Sequence, residues 1–141
     1  MEPGYGVPSH LYMRHPGVHL LLVALLACAL GCGDGPHVTN IQLGRSVNND
    51  NTVANHTTTF GPRDTVYVSI ATSGRGSGTI GVRWMYAGRV VGEPKKEVSY
   101  KGAAATEFHL QNAGGFPPGD YSVEVFLNGQ SAGTRQFKVE R

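Results

Sequence analysis

The chain is 141 residues long with a formal net charge of +2, from 12 Lys and Arg against 10 Asp and Glu. Charges of both signs are interspersed, which excludes the basic stripe of a nucleic-acid binder; Lys95-Lys96, flanked by Glu93, Pro94 and Glu97, reads as a solvated loop. Twenty glycines and eight prolines suit a turn-rich all-β domain, and the two cysteines, Cys28 and Cys32, lie too near the N-terminus to staple one.

Residues 18–30 form an apolar run broken only by His19 and ending at Gly31-Cys32-Gly33-Asp34-Gly35-Pro36. A spanning helix needs ~20 apolar residues, so the run is short for a membrane helix and matches the hydrophobic region of a signal peptide. Arg14 supplies the preceding positive charge. Residues 1–12 contain no Lys or Arg, which makes Met13 an alternative start.

The end of the run resembles the lipobox of bacterial lipoproteins, in which a small residue precedes a Cys whose sulfur takes a diacylglycerol. Cys32 follows Ala29-Leu30-Gly31 and sits where composition turns polar; Cys28 follows Leu25-Leu26-Ala27. The resemblance implies a signal segment over 1–31, lipid on Cys32 (Cys28 the alternative), and a tether over 32–37. Ala27-Cys28-Ala29 also fits ordinary secretory cleavage, and an uncleaved anchor is the third option. All three place the remaining domain, 38–141, outside the cytoplasm.

What remains after the signal segment, 32–141, is of single-domain size, about 110 residues. Ile41 and Leu43 share one face of a first strand over 38–43. Residues 44–55 are rich in Asn and Asp, whose side chains bond nearby backbone and favour turns, so a surface loop is expected. A short extra strand over 57–60 follows. Val66, Val68 and Ile70 then alternate with Tyr67, Ser69 and Ala71, and residues 72–79 read as a Gly/Ser turn.

Ile80, Val82, Trp84 and Tyr86 alternate with Gly81, Arg83, Met85 and Ala87, the pattern of a strand with one face on a core. Ala87-Gly88 turns the chain, and residues 89–92 return. Weaker strands carry Val98 with Tyr100, and Phe108 with Leu110. Residues 113–120 make a broad corner. Tyr121, Val123, Val125 and Leu127 alternate with Ser122, Glu124 and Phe126, Asn128-Gly129 marks a hairpin, and Phe137 and Val139 end the last strand. Pro36, Pro62, Pro94, Pro117 and Pro118 all fall between these strands, where their missing N–H costs no ladder bond.

About seven short strands in this length predict a two-sheet antiparallel sandwich, with a small β-barrel as the competing architecture. Trp84 on the third main strand, and Tyr121 directly after a Pro-Pro-Gly corner, resemble immunoglobulin-like domains, in which a Trp packs mid-core and a Tyr hydroxyl pins a corner. Without an inter-sheet cystine the chain is closer to the fibronectin-III-like group.

No catalytic constellation emerges. The spacing of Gly76, Gly78 and Gly81 fits G-x-G-x-x-G, but it leads into a strand, whereas a dinucleotide site needs a helix there. His37, His56 and His109 stand apart from metal-ligand spacing. No enzyme, metal or cofactor is expected. The expected role is a cell-envelope module binding envelope proteins, held to the membrane by its lipid. The alternative is a small-ligand binder or enzyme inhibitor using the Asn-rich loop or the turn over 73–78. Alternation turns Arg83, Met85, Glu124 and Phe126 outward on one sheet, and Met85 and Phe126, expected as neighbours, are the candidate contact patch.

Overall fold

The computed structural model describes residues 34–141. The signal segment, Cys28 and Cys32 lie outside the described residues. The described chain forms nine strands: β1 (His37–Gly44), β2 (Thr59–Phe60), β3 (Val66–Ser73), β4 (Gly76–Tyr86), β5 (Arg89–Gly92), β6 (Lys95–Tyr100), β7 (Ala104–Leu110), β8 (Gly119–Leu127) and β9 (Gln130–Val139). β1, β3 and β7 make a smaller sheet. β2, β9, β8, β4 and β5 make a larger one, in which β6 also pairs with β4. Every pairing is antiparallel except the two-residue β2 along β9. The fold is a two-sheet, immunoglobulin-like sandwich.

Period-two alternation builds the core. Ile41 and Leu43 of β1, Val66, Val68 and Ile70 of β3, Ile80, Val82 and Trp84 of β4, and Val123 and Val125 of β8 are all buried. Trp84 is fully buried opposite Val123 on β8 and Gly92 on β5. Its indole extends beneath β5: a side-chain carbon at Gly92 would lie in ordinary contact with it, 3.4 Å from indole Cδ1. The other flank meets Phe137 edge-on at 6.0 Å between centroids. The indole N–H has no hydrogen-bond partner among the described residues.

Tyr121 opens β8 stacked on Phe137 at 5.2 Å and on Tyr86 at 4.4 Å. Its hydroxyl donates to the Pro117 carbonyl at 2.7 Å, pinning the Pro117-Pro118 corner. Phe116, within that corner, is buried and meets Tyr121 edge-on. Asn128 and Gly129 take φ of 52° and 79°, the two left-handed residues that a tight hairpin demands. Ala87 and Gly88 do the same at 47° and 74°.

Two local expectations change. The turn expected over 72–79 shrinks to Gly74 and Arg75, because Gly76–Thr79 already pair with Tyr100–Glu97 of β6. Glycine lowers strand propensity, but backbone pairing with β6 overrides it. Lys95-Lys96 lies in β6 rather than in a loop. The short β2 and the separate β5 and β6 match the segments expected over 57–60, over 89–92 and around Val98 and Tyr100, and with them the described chain has nine strands.

Candidate functional site

The outward faces of β4 and β8 carry all four expected surface residues, and pairing register decides which of them meet. Arg83 lies opposite Glu124, Gly81 opposite Phe126, and Met85 opposite Ser122. Met85 and Phe126 share a face, yet four residues separate them along the strands, roughly 13 Å at about 3.3 Å per residue. The expected Met85–Phe126 contact is therefore corrected: alternation determines which face a side chain takes and leaves register open. Arg83 fills the interval instead.

Its guanidinium carbon stands 5.0 Å from the centre of the Phe126 ring. Nε donates to Glu93 Oε1 at 2.6 Å, and Nη1 lies 3.9 Å from Glu124 Oε2. The hydrogen bond to Glu93, then the Glu93 charge, raises the Arg83 pKa further above its already basic value. The planar cation is held over an aromatic ring while it pairs with two carboxylates, an arrangement that lysine could not reproduce.

Beside this cluster opens a cleft of about 180 Å³, lined by Thr79, Gly81, Arg83, Glu93, Lys95 and Phe126. Gly81 lies in its lining. A carbon there would sit 3.2 Å from Lys95 Cγ. One wall is the aromatic–guanidinium pair and the other is the aliphatic stem of Lys95. Thr79 Oγ1 donates to Glu97 Oε1 at 2.8 Å at the rim. The cleft offers an apolar strip edged by both charges. Glu93 and Lys95 belong to this site, and sequence reasoning missed them. The only available signal was the Gly81 that interrupts an otherwise regular strand.

The two loops considered for small-ligand binding are both engaged by the chain itself. The Asn-rich segment folds into a small ladder, with Val47 bridging Val53. Ser69 Oγ of β3 donates to the Asn51 carbonyl at 2.6 Å, and Asn51 Nδ2 donates to the Ala105 carbonyl at 3.2 Å. The segment thus covers part of the outer face of the smaller sheet, over Ser69, which is buried. The turn joining β3 to β4 carries Asp34–Pro36 against it.

His109 is exposed, as alternation predicts, and its Nδ1 lies 2.5 Å from Glu107 Oε1, an i, i+2 pair on one strand face. Lys96 Nζ reaches the same Glu107 carboxylate at 3.4 Å. No group of three or more metal-ligating side chains comes together among the described residues.

No family model and no curated protein sequence matches the chain. Solved structures do. An immunoglobulin-like protein from Pseudomonas aeruginosa aligns with a TM-score of 0.54 at 12% identity, over 78% of this chain and 100% of that one. The C-terminal domain of wzt aligns at 0.55 and 10% identity, over 77% of this chain and 76% of that one. A β-glucosidase from Erythrobacter marinus aligns at 0.52 and 13% identity, over 75% of this chain but only 15% of the enzyme. At such identities the likeness is one of fold: what these proteins share with this chain is the immunoglobulin-like sandwich.

Proposed function

We propose that the chain is a non-catalytic binding module of the bacterial cell envelope, anchored by lipid on Cys32 and working through protein contacts on the outer face of its larger sheet. The observation that carries this reading is the Arg83–Phe126 pair beside the Gly81 cleft. An aromatic ring and an arginine held together on an open strand face, with an apolar strip next to them, have the composition of an interface centre. The cleft is smaller than the ~300–1,000 Å³ typical of a small-molecule pocket, which favours a protruding side chain or short segment of a protein as its occupant. The lipobox-like sequence supports the anchor, since two or more acyl chains hold a protein firmly where one does not.

The test uses a folded Phe126→Glu variant in envelope extracts, with Met85→Glu as a second variant on the same face. Phe126→Glu is expected to lose the partners that the parent captures, and Met85→Glu to retain them. Unchanged capture by Phe126→Glu would overturn the assignment of the face. The anchor is tested separately: Cys32→Ser moves the protein from the membrane to the soluble fraction, and an effect at Cys28→Ser instead would reassign the lipidated residue.

A further inference from the structure

The segment leading into β1 is fastened to the turn between β3 and β4. Gly74 has φ of +92°, and a side-chain carbon there would lie 2.5 Å from the Gly35 carbonyl oxygen and 2.9 Å from that of Asp34. A side-chain carbon on Gly76, at φ +129°, would lie 3.3 Å from Pro36 Cδ. His37 closes the contact, with Nε2 2.8 Å from Ser73 Oγ and Nδ1 3.4 Å from the Gly35 carbonyl. Gly74 is required twice, by its left-handed backbone and by the approach of the chain in front of it. Asp34–Pro36 is therefore part of the domain surface and not a free tether.

The same end of the sandwich carries Arg75 in this turn and Lys101 just after β6, both exposed, with Asp34 the acid beside them. Lys101 is brought there by the pairing of Tyr100 with Gly76. The Asn128-Gly129 hairpin caps the larger sheet at this end, with Asn128 Oδ1 accepting from the Thr79 N–H at 2.9 Å.

We propose that this end is a membrane-apposed surface, resting on the anionic headgroups of the bilayer and oriented by the docked Asp34–Pro36 segment. The proposal rests on the lipid anchor proposed above. Cys32 precedes Asp34 by two residues, a reach of at most roughly 7 Å. That is comparable to the ~8 Å over which charge acts at physiological salt, so Arg75 and Lys101 come within range of an anionic surface. A domain so placed stands upright on the membrane and presents the Phe126 cleft sideways, close to the bilayer, to a neighbour in the same membrane.

The test uses the full lipidated protein in phosphatidylcholine–phosphatidylglycerol vesicles containing headgroup spin-labelled lipid. A fluorophore is attached at Ala103→Cys, at the proposed membrane end, or at Ala113→Cys, at the opposite end. Quenching is expected at Ala103 and not at Ala113. The contrast is expected to be lost in Gly74→Ala, and also when a flexible Gly/Ser stretch of about 12 residues is inserted after Gly33, which lengthens the tether without touching the fold. Equal quenching at both sites in palmitate-labelled protein, or a contrast that survives both changes, overturns the orientation and leaves the anchor standing. Absence of palmitate on Cys32 removes the anchor, and the orientation with it.

Discussion

Two side chains show how single residues hold this sandwich. Trp84 fills the space between the sheets beneath Gly92 and against Phe137. Removing a buried Trp typically costs ~3–5 kcal/mol, a large share of the ~5–15 kcal/mol that holds a domain together. Trp84→Ala is therefore expected to be barely folded in a denaturant titration. Trp84→Phe is expected to lose much less, because it keeps most of the packing and discards an N–H that has no partner. Tyr121 couples packing to pH. Burial, then the neighbouring Tyr86, raises its hydroxyl pKa above the ordinary tyrosine value. The folded state thus holds this proton more tightly than the unfolded one, so the contribution is complete below about pH 10 and is lost as pH climbs through the raised value. Tyr121→Phe is expected to cost ~1 kcal/mol at neutral pH, through loss of the bond to Pro117. It should also flatten the alkaline limb of the stability profile; an unchanged limb would show that Tyr121 does not govern it.

At the scale of elements, legibility in the sequence followed chemistry with a local signature. Asn128-Gly129 announced its turn because both residues tolerate positive φ, and the alternation over Ile80–Trp84 and Tyr121–Val125 announced buried faces. Features set by non-local pairing did not show. Gly76–Thr79 resembled a turn until β6 paired with them, and Arg83 separated Met85 from Phe126 because of a register that no residue pattern encodes. Phe116 joined the core from within a proline corner, where no periodicity exists to reveal it. Ala87 is the converse case, a side chain in a turn that sequence located correctly but whose backbone, at φ 47°, disfavours alanine. A left-handed non-glycine residue costs roughly 1–2 kcal/mol, and asparagine bears it better. Ala87→Asn is expected to raise stability by ~0.5–1 kcal/mol, read as a higher melting temperature. A lower one would mean that the Ala87 methyl makes a contact worth more than the strain.

As a whole molecule, the domain achieves its fold without a disulfide among the described residues, through a continuous core shared by two sheets. The Asn-rich segment covers part of the smaller sheet's outer face, over Ser69, while the larger sheet leaves the Arg83–Phe126 pair and its cleft open. That difference is the reason for placing the proposed contact face on the larger sheet. The most direct measurement is photocrosslinking in intact cells, with a photoreactive phenylalanine analogue placed at Phe126 or, on the smaller sheet's outer face, at Tyr67. A discrete adduct with an envelope protein is expected from position 126 and none from position 67. No adduct at 126, or the same adducts from both positions, would contradict the assignment.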